Sequence, residues 1–179
     1  FLLHVASLVY IRRATTGTAP DKIIDTGFRF LAELPAGYGD AVPIGLLVAV
    51  LALADHRDAL LFLSLSAVLM AVRAVSVVST IPPSPSPSCT SGAHGSGFDW
   101  LSLVHGGCRD MMFSGHTAYA TLSALFVWRR GAGFWRSGPA LFAIVLGEAV
   151  YLIAAREHYT ADVILGAILA CFLYRAAKR

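Results

Sequence analysis

Long apolar stretches separated by short polar breaks organise this chain. A helix that crosses a membrane needs about 20 mostly apolar residues. Residues 1–11, "FLLHVASLVYI", are too few and read as the end of a truncated first span. Residues 12–40 are polar and broken by Pro20, Gly27, Pro35, Gly37 and Gly39. Residues 41–54, "AVPIGLLVAVLALA", read as a rather short span, and "DHRD" at 55–58 as a tight polar turn. Residues 59–81 read as a longer span interrupted by Arg73. "PPSPSPSCTSGAHGSG", 82–97, is a loop, because its prolines break regular structure and nothing in it is periodic. A short interfacial helix is expected around "FDWLSLVHG", within 98–110. Spans follow at about 112–128, 138–155 and 160–177, separated by "RRGAGFWR" and "REH". Lipid offers no partner for bare backbone groups, so these spans are expected to be helices. The pattern predicts an all-α polytopic membrane helix bundle of five complete spans plus the truncated one, in a single integral-membrane domain over 1–179.

Composition supports that class. The chain is 56% hydrophobic and 14% charged, with a mean hydropathy of +0.67. Soluble domains carry about a quarter charged residues. A net charge of +3, with no basic run interleaved with aromatics, gives no reason to expect a nucleic-acid partner. Cys89, Cys108 and Cys171 fit no zinc spacing. If "RRGAGFWR" and the terminal "RAAKR" face the cytosol, the positive-inside rule is met at both. "DHRD" then falls on the same side. The 12–40 loop, with four cations against the rule, falls opposite, together with the 82–110 loop and "REH". Cys89 and Cys108 share that non-cytosolic side, where a disulfide is permitted.

This parity gathers dispersed polar groups at one membrane face. In "HYTAD", His158 and Asp162 are four residues apart. On one helical face the carboxylate could hold one imidazole nitrogen and leave the other as a nucleophile or base. The ordinary reading is an acid near the positive end of a helix beside an interfacial histidine. In "SGHT", Ser114 reads as an N-cap, Gly115 permits close approach of a ligand, and His116 sits at an anion-binding helix end. The ordinary reading is a plain cap. Arg73 lies about eight residues from the end of its span. A charge at that depth is costly unless paired, and a guanidinium suits bidentate contact with phosphate. The ordinary reading is a side chain reaching back to the interface. Arg109 and Arg156 add charge at the same mouth or are simply solvated. Glu148 lies deeper and calls for a partner across helices. Two histidines, one carboxylate, one arginine and a helix end make a phosphoryl-transfer set that needs no metal or other cofactor.

"CRDMMFSGHT" and "REHYTADV" resemble the two signature motifs of the sphingomyelin synthase (ceramide phosphotransferase) family, a branch of the type 2 phosphatidic acid phosphatase superfamily. "PDKIID" at 20–25 resembles the segment after that family's first span, and "VRAVSVVSTIPPSPSPSC" at 72–89 its arginine-plus-proline motif. The resemblance implies a six-helix membrane fold with a lumenal or exoplasmic active site. It implies transfer of a phospho-headgroup (phosphocholine, phosphoinositol or phosphoethanolamine) from a glycerophospholipid to ceramide, releasing diacylglycerol. His158 would be the nucleophile that becomes phosphohistidine, Asp162 its orienting acid, and His116 the proton shuttle. Arg73, Arg109, Asp110, Ser114, Gly115, Arg156, Glu157 and Tyr159 would form the phosphate- and substrate-binding set. Its partners would be membrane lipids, with self-association left open, and its location the Golgi, endoplasmic reticulum or plasma membrane.

Two positions depart from the family's pattern. Arg109 stands where a glycine is usual, and Arg156 where a histidine is usual. The second resembles plant inositol phosphorylceramide synthases, whose run is Arg-Lys-His-Tyr-Thr. Two added cations suit an anionic donor such as phosphatidylinositol, whereas Glu157 suits a cationic headgroup. Two alternatives stand beside the transferase. A lipid phosphate phosphatase would use the same histidines with water as acceptor, but its usual Lys-x6-Arg-Pro motif is not matched around Arg73, where the next proline is Pro82. A non-catalytic lipid-binding membrane protein would not need His116, His158 and Asp162 intact.

Overall fold

The computed structural model describes residue 25 and residues 30–79, 113–131, 133 and 137–178. The described residues form helices and connections, with no strand among them. The helices are α1 (Ala41–Leu53), α2 (His56–Ser79), α3 (Gly115–Arg130), α4 (Gly138–Ala154) and α5 (Thr160–Ala176). Each stands where an apolar run predicts one. The truncated first span, the proline loop, the interfacial helix and the Cys89–Cys108 pairing lie outside the described residues.

α3 is the hub of the bundle and packs against all four other helices. Its sequence explains this position. "ATLSALFV" (120–127) presents small and large apolar residues on nearly every face, and Ala120, Leu122, Ala124, Phe126 and Val127 are all buried. The main core joins these to Leu46 and Val50 of α1, Phe62 and Leu65 of α2, Leu141 of α4, and Ala170 and Tyr174 of α5. Phe126 meets both Phe62 and Tyr174 edge-on, with ring centroids 5.3 Å apart in each pair. That geometry suits the ring quadrupole.

The outer face is apolar as well. Ile44, Val48, Leu51, Leu63, Val75, Phe142, Ile168 and Phe172 are all exposed. α2, with 24 residues, is long and apolar enough to cross a membrane; α1 and α4 are apolar but shorter.

The two ends of the bundle differ chemically. At one end, buried Asp58 of α2 receives Arg129 Nη1 at 3.2 Å and Arg130 Nε, while Arg130 Nη2 reaches Asp55 at 2.7 Å. This ties "DHRD" to the first half of "RRGAGFWR", the side-by-side placement that parity requires. "DHRD" is not wholly a turn: α2 already begins at His56, and Asp58 lies inside its first turn. At the opposite end meet the N-termini of α1, α3 and α5 and the C-terminus of α4, with Arg73 of α2 reaching up to the start of α3.

Candidate active site

The start of α3 carries the first motif. Ser114 is the N-cap: its Oγ accepts from Thr117 N at 3.2 Å and from Thr117 Oγ1 at 3.1 Å. It is fully buried, and its own amide donates to Asp162 O of α5 at 2.9 Å. The two motifs are therefore joined by a backbone hydrogen bond. Gly166, one turn further along α5, makes this approach feasible. A Cβ there would lie 2.6 Å from Ser114 O, closer than real side chains come to a backbone oxygen.

Arg73 is buried, and its Nη1 donates to Phe113 O at 2.9 Å. Its guanidinium carbon also lies 6.0 Å from the centre of the Phe113 ring. Phe113 has φ +24°, an uncommon value that a non-glycine residue holds only when its surroundings fix it. Here the Arg73 bond on one side and the Ser114 cap on the other supply that constraint. Gly115 follows, with the Arg73 guanidinium directly against it; a Cβ there would clash with Nη1 and stand 2.9 Å from Cζ. An arginine thus lies beside a helix N-terminus, the combination expected of a phosphate site.

His116 and His158 face each other. His116 Nδ1 is 3.4 Å from His158 Nε2, and the rings meet edge-on with centroids 5.6 Å apart. His116 Nε2 lies 3.0 Å from Asp40 Oδ1, in the residue that opens α1. An Nε2–H at this distance donates to the Asp40 carboxylate. His158 is nearly inaccessible, at 3% exposure, and its Nδ1 is buried with no hydrogen-bond partner. Burial first, then the Arg73 charge and His116, hold its imidazole well below the usual histidine range. His158 is therefore neutral at neutral pH, with a lone pair available for attack.

This geometry corrects one expectation. Asp162 does not hydrogen-bond His158. Its Oδ2 accepts from Tyr159 N at 3.3 Å and so caps α5. The physical reason lies in where the helix starts. Tyr159 is the N-cap, so His158 precedes α5, and the stacking of side chains four residues apart does not extend to it. The carboxylate that meets a histidine belongs to Asp40 instead, and it meets His116. Sequence reading missed Asp40, because residues 12–40 show no periodicity that would lay them over the site.

The remaining expected residues divide. Glu157 lies at the mouth, where Oε1 accepts from Gly37 N at 2.7 Å. Arg156 adopts a left-handed φ of +58° and donates to Leu31 O at 3.3 Å, so its guanidinium fastens the 31–40 segment. Tyr159 is buried at the α5 cap. Asp25, the last residue of "PDKIID", accepts from Thr160 N at 2.6 Å and Thr160 Oγ1 at 2.7 Å, securing the same helix start. Arg109 and Asp110 lie outside the described residues. Glu148 is buried in α4, and both carboxylate oxygens lack a hydrogen-bond partner, contrary to the cross-helix pairing expected of it. Among the described residues, no group of three or more His, Cys, Asp or Glu side chains is arranged to hold a metal ion.

Comparison with known proteins agrees with the motifs. Residues 107–179 match the PAP2 superfamily C-terminal family. Over 59 residues the chain is 44% identical to a phosphatidylinositol:ceramide inositolphosphotransferase of Trypanosoma cruzi (strain CL Brener), covering 32% of this chain and 18% of that protein. Over 63 residues it is 36% identical to a phosphatidylethanolamine:ceramide ethanolaminephosphotransferase of Trypanosoma brucei brucei, covering 35% of this chain and 20% of that one. Over 86 residues it is 31% identical to Protein PHLOEM UNLOADING MODULATOR of Arabidopsis thaliana, covering 46% of this chain and 20% of that one. The matched stretch thus spans at most a fifth of the length of these relatives. The His116 and His158 motifs both lie inside the residues that match the PAP2 superfamily C-terminal family, and over part of its length the chain is similar to proteins named as ceramide phosphotransferases.

Proposed function

We propose that the protein is a ceramide phosphotransferase embedded in a membrane, moving a phospho-headgroup from a glycerophospholipid to ceramide through a phosphohistidine. The observation that carries this reading is the His116–His158 pair beside Arg73 and the start of α3. The donor phosphate is held by Arg73 and the first amides of α3, which offset charge gathering on its oxygens. His158 attacks phosphorus with the lone pair of Nε2, and the bond from phosphorus to the glycerol oxygen breaks. His116 enters this step with both ring nitrogens protonated; the glycerol oxygen takes the proton from Nδ1 and leaves as diacylglycerol, while Nε2 keeps its proton toward Asp40. The primary hydroxyl of ceramide then gives its proton back to His116 and attacks the phosphohistidine, which frees His158. Asp40 holds His116 by Nε2 and keeps Nδ1 turned toward the reaction. Asp162 acts at one remove, by capping the helix that follows His158. The helices are read as lipid-embedded from the apolar outer face, with the site at a non-cytosolic surface.

The test supplies labelled ceramide with phosphatidylcholine, phosphatidylethanolamine or phosphatidylinositol in liposomes and identifies products by mass spectrometry. A phosphorylated-headgroup ceramide and stoichiometric diacylglycerol are expected with at least one donor, and His158→Ala abolishes both. Free phosphate released from phosphatidic acid, without modified ceramide, makes the protein a phosphatase. Equal product from His158→Ala refutes the mechanism.

A further inference from the structure

An apolar groove of about 340 Å³ runs between α2 and α5, lined by Val72, Ser76, Phe113, Leu165, Leu169 and Phe172 among others. It exists because α2 and α5 both pack on α3 while touching each other little. Its one polar wall residue, Ser76, donates its hydroxyl to Val72 O at 2.9 Å, so the wall offers no free donor. From Leu165 to Phe172 the groove follows α5 for about 10 Å at 1.5 Å per residue. Its upper end adjoins the candidate site at Phe113. Phe113 lines the groove and also accepts the Arg73 hydrogen bond, and Val72 adjoins Arg73 in the chain. An apolar channel with a guanidinium at its head matches a molecule that has a phosphate at the head of an alkyl chain.

We infer that this groove holds an acyl chain of the phospholipid donor while Arg73 engages its phosphate. The inference rests on the phosphotransferase reading for the identity of the donor. The occupant is the donor rather than the acceptor for two reasons. The acceptor arrives uncharged and offers Arg73 no anion to pair with. The groove also opens on the Arg73–Phe113 side of the histidine pair, whereas His116 turns its other nitrogen to Asp40 and α1. The donor therefore lies with its headgroup at the histidines and one chain along α5, which places the glycerol oxygen near the pair.

Photolabelling tests this without requiring turnover. The protein and its His158→Ala variant are placed in vesicles with trace phosphatidylethanolamine or phosphatidylinositol bearing a diazirine on an acyl chain. A parallel sample carries ceramide with the same diazirine chain. Cross-links are mapped by mass spectrometry. Excess labelling of Phe113 and Leu169 over Phe142, an exposed α4 residue away from the groove, is expected with at least one donor and not with ceramide. Leu169→Trp, which fills the groove, should cut that excess by about tenfold, the effect of displacing roughly two buried methylenes. Ser76→Phe, narrowing the groove from α2, should act in the same direction if Leu169→Trp does not fold. Labelling of Phe142 equal to that of Leu169 overturns the inference by making the groove ordinary lipid contact. An excess that survives both substitutions, or one that appears equally with ceramide, also overturns it. Donor labelling as expected in a protein that makes no ceramide product would leave the groove standing and refute the transferase reading alone.

Discussion

Gly115→Ala separates the phosphate site from the fold. A methyl at Gly115 would stand 2.9 Å from Arg73 Cζ, where ordinary contact begins near 3.4 Å, and closer still to Nη1. The guanidinium has to retreat by about 0.5 Å at Cζ and by more at Nη1. It must then leave the position from which it reaches Phe113 O at 2.9 Å. The backbone has no cause to move, because the clashing atoms are the end of a flexible side chain. Alanine also suits a helix better than glycine, a gain of up to about 1 kcal/mol that offsets part of a lost charge-assisted hydrogen bond of about 1.5–3 kcal/mol. Stability should therefore fall by at most about 2 kcal/mol, with the fold kept. Activity should not be spared. A hydrogen bond between an ionised arginine and phosphate is worth about 1.5–3 kcal/mol. At about 1.4 kcal/mol per decade, its loss corresponds to a fall in kcat/KM of about 10- to 100-fold. The assay is headgroup transfer in liposomes beside thermal unfolding in detergent, with Arg73→Ala in parallel. Wild-type kcat/KM in Gly115→Ala would refute the reasoning. So would a fall in Gly115→Ala while Arg73→Ala stays active, since the effect could not then run through the arginine.

Other substitutions probe the rest of the bundle. Asp40→Asn should lower kcat/KM by roughly a hundredfold, within the range for a disturbed general acid–base, with unfolding unchanged; activity within twofold of wild type would remove Asp40 from the mechanism. Acidification should destabilise the protein as pH falls below about 6.5, because the unfolded chain takes up a proton on His158 there while the buried imidazole, held well below that range, does not. His158→Gln should flatten that slope in a series of melts from pH 7.5 to 5; an unchanged slope would assign it to other groups. At the opposite end, Asp58→Ala leaves Arg129 and Arg130 without their shared carboxylate and should cost about 1–3 kcal/mol, read as a lower denaturation midpoint with transfer by the surviving folded protein unchanged.

Much of this arrangement is legible in the residues. Apolar runs bounded by "DHRD", "RRGAGFWR" and "REH" mark the five helices of the described residues, because these polar breaks set where each apolar helix starts and stops. The parity of those runs brings Arg73, His116 and His158 to one end, and the capping role of Ser114 follows from its place before Gly115. What the chain does not reveal locally depends on contacts between distant segments. Asp40 reaches His116 only because α1 docks on α3, and no local pattern announces that docking. Asp162 reads as a partner for His158 until the start of α5 is known, and that start is fixed by Tyr159 at the cap and by Asp25, well over a hundred residues earlier.

α3 connects these facts mechanically. Its first residues are held by Asp162 O and abut Arg73, and its last residues are held by Asp58, so both ends of the hub are fixed by polar contacts while its middle is buried in apolar packing. A rigid hub suits the chemistry proposed, because His116 sits on α3 whereas His158 sits on the short connection between α4 and α5. Their 3.4 Å approach therefore depends on how firmly α5 lies against α3. Gly166 governs that distance. A side chain there would press on Ser114 O, which is backbone and cannot yield, so the two helices would have to part. Parting them would draw the histidines away from each other even though neither is altered, and the closest control over the reaction distance thus lies in a glycine one turn beyond the motif.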